Sequence, residues 1–384
     1  MGCAPSSLIS HLTRTRLDEI ALRLAYAKTF STKRNMQLVC SGWRSIAIEV
    51  VFELVVLASP AQSTRFLTVL EAVAQTSNYG RFVKNIIFLD VSALQGEVAR
   101  RLLTLCPNIR EFRSGGREYY IAADHFLSRM PLSGLVSLEL SHFCSSDILI
   151  PYLRQCPNLE VLGVGQLGRC VDGETVKPAE VSLPRLHTLR ISSGLHLRWC
   201  PLDSISQWDL PSLVTFQVEN PPQRAQIPEE FGHRIRNLII TEVSSKSQTI
   251  PLISFPHLTE LTVEWYIPPK VFTPYTFKQL KIFVLRTAIR SSLIDSPGKQ
   301  DALSNLLAIL VRVGQPFPAL SVIRYADITS THEVPGIFFR TGWRDTEGRA
   351  LRRKWVELTD YFINVKGGTV VDQDWRPLCF EVAD

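Results

Sequence analysis

The sequence lacks the short motifs by which many enzymes hold a metal ion, a phosphate group or a catalytic serine. Its eight cysteines form no C-x-x-C pair, and no H-E-x-x-H, G-x-S-x-G or Walker A string occurs. The eight histidines and the many carboxylates show no spacing that assigns a metal ligand or a catalytic acid or base. The sequence therefore predicts a protein that is not an enzyme and binds no cofactor or metal.

One string, GVGQLG at residues 163–168, does match the G-x-G-x-x-G pattern of a dinucleotide-binding turn. The residues after it contain Gly173 and Pro178 and lack helical periodicity, so no helix N-terminus would face a pyrophosphate. We interpret the string as a turn within a repeat.

A hydrophobic run long enough to span a bilayer is also missing. The longest apolar run, Ile46 to Ala58, is too short and contains Glu49 and Glu53. No N-glycosylation triplet or signal peptide is present, and unpaired cysteines favour reduced thiols. The predicted location is therefore intracellular, in the cytoplasm or the nucleus.

The N-terminal string MGCAPSS is the exception that concerns membranes. Gly2 and Cys3 stand where myristoylation and palmitoylation patterns place their acceptors, and two acyl chains would hold a protein at a membrane. The alternative is a frayed terminus without modification. Membrane association is expected only if these residues are acylated.

Charge is close to balanced and is spread along the chain. There are 42 lysines and arginines against 36 aspartates and glutamates, a formal net charge of +6. The basic residues form no patch of the kind that binds nucleic acid, so no nucleic-acid partner is predicted.

A repeat runs through most of the chain. Nine segments follow the template L-x-x-L-x-L, with apolar residues at the first and fourth positions and, in eight of them, at the sixth, and an earlier unit begins at Val83. The first apolar residue of each segment, here called its anchor, is Ile109, Leu135, Leu159, Leu186, Leu213, Ile235, Leu258, Leu280 or Leu320. Anchors lie 22 to 27 residues apart up to Leu280, and the last interval is 40 residues.

This spacing resembles the leucine-rich repeat. The later apolar positions alternate with polar residues, which predicts a short strand with one buried face. Six anchors have a proline two residues before them, which indicates where the chain turns into the strand. Stacked units would form an α/β solenoid with a parallel concave sheet over residues 80–330, and residues 331–384 would form a C-terminal cap. The 40-residue interval implies either an insertion or a degenerate unit.

The first part of the chain has a different pattern. Helical spacing of apolar residues in RLDEIALRLA and WRSIAIEVVFEL, with the short strand LVVL after them, predicts a helical module over residues 8–58. These segments, and LVCSGWRSIA above all, resemble the F-box, the module by which substrate receptors bind the Skp-family adaptor of cullin–RING ubiquitin ligases. The chain has RLDEI where that family usually has Leu-Pro, so a helical cap on the first repeat stays an alternative.

The resemblance assigns roles to particular residues. It implies adaptor contacts by Leu17, Ile20, Leu24, Leu38, Val39, Trp43 and Ile46. Strand register places one set of residues on the concave face, where we expect an unidentified target protein to bind: Glu139, Arg190, Gln217, Thr262, Glu264, Val284 and Arg286. The predicted function is a non-catalytic substrate receptor of an SCF-type ubiquitin ligase. The alternative is a stand-alone repeat scaffold for protein interactions, tethered to a membrane if acylated.

Overall fold

The computed structural model describes residues 48–49, 51–74, 78–89, 96–114, 124–168, 180–192, 205, 208–219, 229–241, 255–264, 277–287, 317–327, 360, 362–365 and 367–371. The chain divides into two compact units, Met1–His142 and Phe143–Asp384.

In the first unit short strands alternate with helices. The elements are β1 (Leu54–Leu57), α1 (Pro60–Ala74), β2 (Asn85–Phe88), α2 (Gly96–Leu105), β3 (Glu111–Ser114), α3 (Asp124–Leu127) and β4 (Ser137–Ser145), with β4 running past the boundary of the unit. The four strands lie side by side in chain order, and each pairs in parallel with the next. The strand predicted at LVVL is thus the first strand of this sheet.

The second unit also contains strands and helices, and its described residues form more strands than helices. The elements are α4 (Ser146–Leu153), β5 (Val161–Gly168), β6 (Thr188–Ser192), β7 (Thr215–Glu219), α5 (Glu229–Arg234), β8 (Asn237–Thr241), β9 (Glu260–Glu264), β10 (Ile282–Thr287), β11 (Val322–Asp327) and β12 (Thr369–Val371). From β5 to β12 every strand pairs in parallel with its successor. The described fold is therefore α/β with parallel strands in chain order, consistent with the predicted repeat.

A tight turn leads into six strands of the second unit, namely β5, β6, β7, β9, β10 and β11. The backbone N–H of an anchor donates to the carbonyl three residues earlier, as from Leu186 to Leu183 at 3.1 Å and from Leu213 to Leu210 at 3.2 Å. Where a unit has a proline before its anchor, as at Pro184, the proline occupies the second position of this turn, where its fixed φ fits and no N–H is required. Lys278 takes that place before Leu280 and the turn still forms at 3.3 Å, so proline favours the turn without being required.

The backbone joins one repeat to the next in a constant way. The two N–H groups after an anchor both donate to a single carbonyl of the preceding repeat. Val214 and Thr215 bond to His187 at 3.1 and 2.9 Å, and Lys281 and Ile282 bond to Thr259 at 2.9 and 3.1 Å. Each strand therefore enters the sheet without a register shift, which keeps equivalent positions in rows.

The apolar positions of the template form the core, as the sequence predicts. The nine anchors are buried, and the alternation along a strand is clear in β6, where Leu189 and Ile191 are buried and Thr188 and Arg190 are partly exposed. In the first unit the ring of Phe112 on β3 stacks on Phe126 of α3, with centroids 5.4 Å apart. This contact shows that α3 covers the apolar side of β3.

The strands bear on two sequence interpretations. β10 pairs directly with β11, so no strand of the sheet lies between the strands that follow Leu280 and Leu320. The interpretation of residues 163–168 as a turn is wrong, because they lie within β5. The segments between strands that contain VARRLLTL and ILIPYLRQ include the helices α2 and α4.

Two cysteines occupy equivalent positions in their repeats, and both lie in the core. Cys106 and Cys156, each three residues before an anchor, are buried, and burial raises the pKa of both thiols from 9.0 to about 12. We expect both to resist iodoacetamide at pH 8 in the folded chain and to react after unfolding in urea, as read by peptide mass spectrometry. Equal labelling in the two states would contradict this core position.

The raised pKa values also predict a pH dependence. The folded state keeps protons that the unfolded state loses above about pH 9, so stability is complete below that value and falls as pH rises toward about 12. Urea unfolding of a Cys106→Ala, Cys156→Ala variant should show a smaller loss across this window than the unchanged chain.

Candidate functional site

The strand residues that alternate with the core residues of the second unit form one continuous row. Register pairs run through Gly163, Arg190, Gln217, Ile239, Thr262, Val284 and Arg324, which we call the open-face row. Four residues predicted to bind a target lie in it, because in-register stacking aligns equivalent template positions. The row also includes Ile239 and Arg324, which the sequence analysis did not select although they stand at the same template position.

The residues of the open-face row differ in accessibility. Arg190, Gln217, Ile239 and Arg324 are partly exposed, whereas Thr262 and Val284 are each only 3% exposed. The accessible part of the row therefore excludes these two predicted residues. The accessible residues of the row lie on either side of them.

The arginines in the row are constrained. The Nε atoms of Arg190 and Arg324 are buried, although the two residues as a whole are partly exposed. Burial of one nitrogen limits the orientations open to each planar guanidinium group. With Gln217 next to Arg190 in register, the row offers a cation and an amide at neighbouring positions. Such groups suit the carboxylates and backbone carbonyls of a protein.

Two further predicted residues lie next to each other farther along the strands. Glu264 of β9 and Arg286 of β10 are register partners, two residues beyond Thr262 and Val284. They occupy neighbouring positions on adjacent strands but are not part of the open-face row.

The first unit has an equivalent row with an ion pair in it. Arg113 of β3 and Glu139 of β4 are register partners, and Nη2 of Arg113 lies 2.7 Å from Oε1 of Glu139. The side chains are 48% and 18% exposed, respectively. Glu139 was selected from the sequence and Arg113 was not, although it occupies the same position in its own segment. The pair sits on accessible surface where a partner could compete for either group.

An exposed ion pair of this kind should contribute little to stability. A double-mutant cycle with Arg113→Ala and Glu139→Ala, followed by urea unfolding, should give a coupling energy of at most about 1 kcal/mol. Solvent screening and side-chain entropy offset most of the attraction. A coupling of about 3 kcal/mol would instead identify a desolvated structural pair and would argue against Glu139 as a target contact.

The remaining predicted site residues lie outside the described residues. These are the adaptor-binding set Leu17, Ile20, Leu24, Leu38, Val39, Trp43 and Ile46, and the acylation candidates Gly2 and Cys3. Within the described part of the chain, no group of three His, Cys, Asp or Glu residues is placed to hold a metal ion. No helix among the described residues combines the length and apolar character needed to cross a membrane.

Comparison with known proteins gives one partial match. No protein-family model matches the chain. The chain is 25% identical over 143 residues to the "SCF E3 ubiquitin ligase complex F-box protein pof2" of Schizosaccharomyces pombe. The matched region is 36% of this chain and 30% of that protein, so the chain spans less than a third of the relative's length.

Proposed function

We propose that the chain is a non-catalytic substrate-recognition subunit of an SCF-type ubiquitin ligase, with its repeats binding a target protein and its N-terminal module binding the Skp-family adaptor. The open-face row supports the first part of this proposal, the binding of a target protein by the repeats. Parallel repeats in register present partly exposed Arg190, Gln217, Ile239 and Arg324 in one line. Such extended rows are how stacked-repeat proteins present a binding surface.

The architecture that goes with this role is a leucine-rich-repeat solenoid over residues 80–330, a helical module over residues 8–58 and a cap over 331–384. In-register strands, buried anchors and a repeated entry turn support the solenoid. Strand β12 belongs to the proposed cap and pairs with β11. This pairing supports a cap that adds the last strand to the sheet of the second unit.

The ligase half of the proposal depends on the N-terminal resemblance and on the partial match to an F-box protein of an SCF ligase complex. Leu17, Ile20 and Leu24 would form one helical contact with the adaptor, and Leu38, Val39, Trp43 and Ile46 the other. An apolar cluster of this size in so short a module leaves surface for a partner to cover.

The mechanism would be proximity. A target held on the open face and an adaptor held by the N-terminal module are parts of one assembly, so target lysines meet the ubiquitin-charged enzyme at a raised effective concentration. No residue of this chain needs to take part in the transfer. The protein would work inside the cell, in the cytoplasm or nucleus, where that machinery acts.

Assembly with the ligase tests the proposal. The purified chain is mixed with a Skp-family adaptor and a cullin–RING complex and separated by size-exclusion chromatography. We expect the chain to co-elute with the cullin when the adaptor is present and to elute alone when it is omitted. Elution alone in both mixtures would favour the stand-alone scaffold, and intact mass of the N-terminal peptide would then show whether Gly2 and Cys3 carry acyl chains.

A further inference from the structure

The helices of the first unit border a cavity with a mainly charged lining. Its volume is about 360 Å³, within the range of small-ligand pockets. The charged residues around it are Glu71 of α1, Glu97, Arg100 and Arg101 of α2, and Arg129 after α3. Three guanidinium groups and two carboxylates leave a formal charge of +1 in the lining.

Two of the three arginines have carboxylate partners within the cavity lining. Arg101 contacts Glu71, and Arg100 contacts Glu97 one helical turn away. The two arginine side chains are 54% and 41% exposed, so water screens both pairs and each contributes little stability. A stronger anion can therefore displace either carboxylate at small cost.

Arg129 is the source of the unbalanced positive charge in the lining, because the two glutamates pair with the other two arginines. Its backbone N–H bonds to the carbonyl of Phe126 at 3.0 Å, which fixes its position after α3. Its side chain is exposed and makes no ion pair or hydrogen bond with any other described residue. Arg129 is therefore the guanidinium group available to a ligand.

We propose that this cavity binds a phosphate monoester group. A carboxylate ligand carries one negative charge, as Glu71 and Glu97 do. It would have no advantage over these glutamates at Arg101 and Arg100, and would gain only the contact with Arg129. A phosphate monoester carries about −1.5 to −2 charges and three acceptor oxygens, enough to engage Arg129 while also accepting from Arg100 or Arg101. The cavity is large enough for the phosphate together with the side chain that carries it.

This site is separate from the open-face row and does not rest on the proposed function. Its residues belong to the helices and helix ends of the first unit, whereas the row belongs to strands of the second. The phosphate could be carried by a phosphorylated side chain of a protein or by a small molecule. The two sources share the same chemistry at Arg129 and differ in what surrounds the phosphate.

Calorimetric titration of the full chain at low salt tests the proposal. The probes are inorganic phosphate, the peptide Gly-phosphoSer-Gly and the same peptide without phosphate. We expect both phosphate probes to bind and the unmodified peptide not to bind. Tighter binding of the phosphopeptide would indicate a phosphorylated protein as the source, and equal affinities would indicate a free phosphate compound.

Three exposed-site variants make the test specific. Arg129→Gln should weaken phosphate binding at least about tenfold, because it removes a charge-assisted contact. Glu71→Gln should strengthen binding severalfold, because it removes the competing carboxylate and releases Arg101. Arg110→Gln, an exposed change outside the cavity, should leave affinity unchanged. Circular dichroism melts would confirm that all three fold.

The proposal is overturned if the unchanged chain binds neither phosphate probe at millimolar concentration. It is also overturned if Arg129→Gln binds as tightly as the unchanged chain, or if Arg110→Gln loses as much affinity. Opposite effects of the Arg129 and Glu71 variants could not arise from general damage to the fold.

Discussion

Replacing Gly80 with alanine should destabilise the first unit by about 2 to 3 kcal/mol, the upper part of the range for forcing extra volume into a packed site. Gly80 is buried in the short turn Tyr79–Phe82, against the end of helix α2. A Cβ placed there would lie 2.8 Å from the carbonyl carbon of Leu105 and closer still to its oxygen. The obstacle is backbone at the end of a helix, which cannot rotate away as a side chain can. Urea unfolding followed by circular dichroism measures the loss.

Gly134 provides the matched control. It ends another short helical turn, Leu132–Gly134, but a Cβ there would meet nothing within 4 Å. Gly134→Ala should therefore change the free energy of unfolding by less than about 1 kcal/mol, and in the stabilising direction, since alanine restricts the unfolded chain. Equal effects of the two substitutions would contradict the close approach of the turn to α2.

Much of the fold follows from local sequence. A leucine such as Leu213 is predicted to be buried because it recurs with the period of the template, and Pro211 predicts the turn before it. The strand register can also be predicted from the sequence, because equivalent turns place equivalent residues at the start of each strand. This is why Arg190 and Gln217 could be assigned to one face of the sheet from sequence alone.

What sequence could not give depends on contacts between distant segments. Thr262 and Val284 were expected on an accessible face because strand periodicity says which face a residue is on, but not whether that face is covered. The glycines of residues 163–168 suggested a turn, yet they lie in strand β5, where Gly163 pairs with Arg190 of β6. The charged cavity could not be predicted, because Glu71, Arg101 and Arg129 come from three separate helical segments.

Charge introduced into the proposed adaptor contact should abolish binding. A Leu38→Asp, Trp43→Ala variant would bury an unpaired carboxylate and remove a large aromatic contact. Each change is of a kind that costs about 2 kcal/mol or more at an interface centre, so we expect at least about a hundredfold weaker adaptor binding. Retention of the purified chain on immobilised Skp-family adaptor measures the loss.

Two controls separate lost docking from a lost fold. Val365, which is 59% exposed in the second unit, can be changed to aspartate, and this variant should bind adaptor like the unchanged chain. The double variant should keep its circular dichroism spectrum and melting temperature. If it binds adaptor undiminished, Leu38 and Trp43 are not the contact; if it unfolds, these residues belong to a helical cap on the first repeat.

The most direct measurement is a calorimetric titration of the intact chain with a purified Skp-family adaptor. The account predicts one adaptor per chain with a dissociation constant in the micromolar range or below, about −8 kcal/mol or more favourable. Absence of binding at tens of micromolar, with a chain that melts cooperatively, would contradict it. The protein would then be a repeat scaffold that binds its partner without delivering it to a ubiquitin ligase.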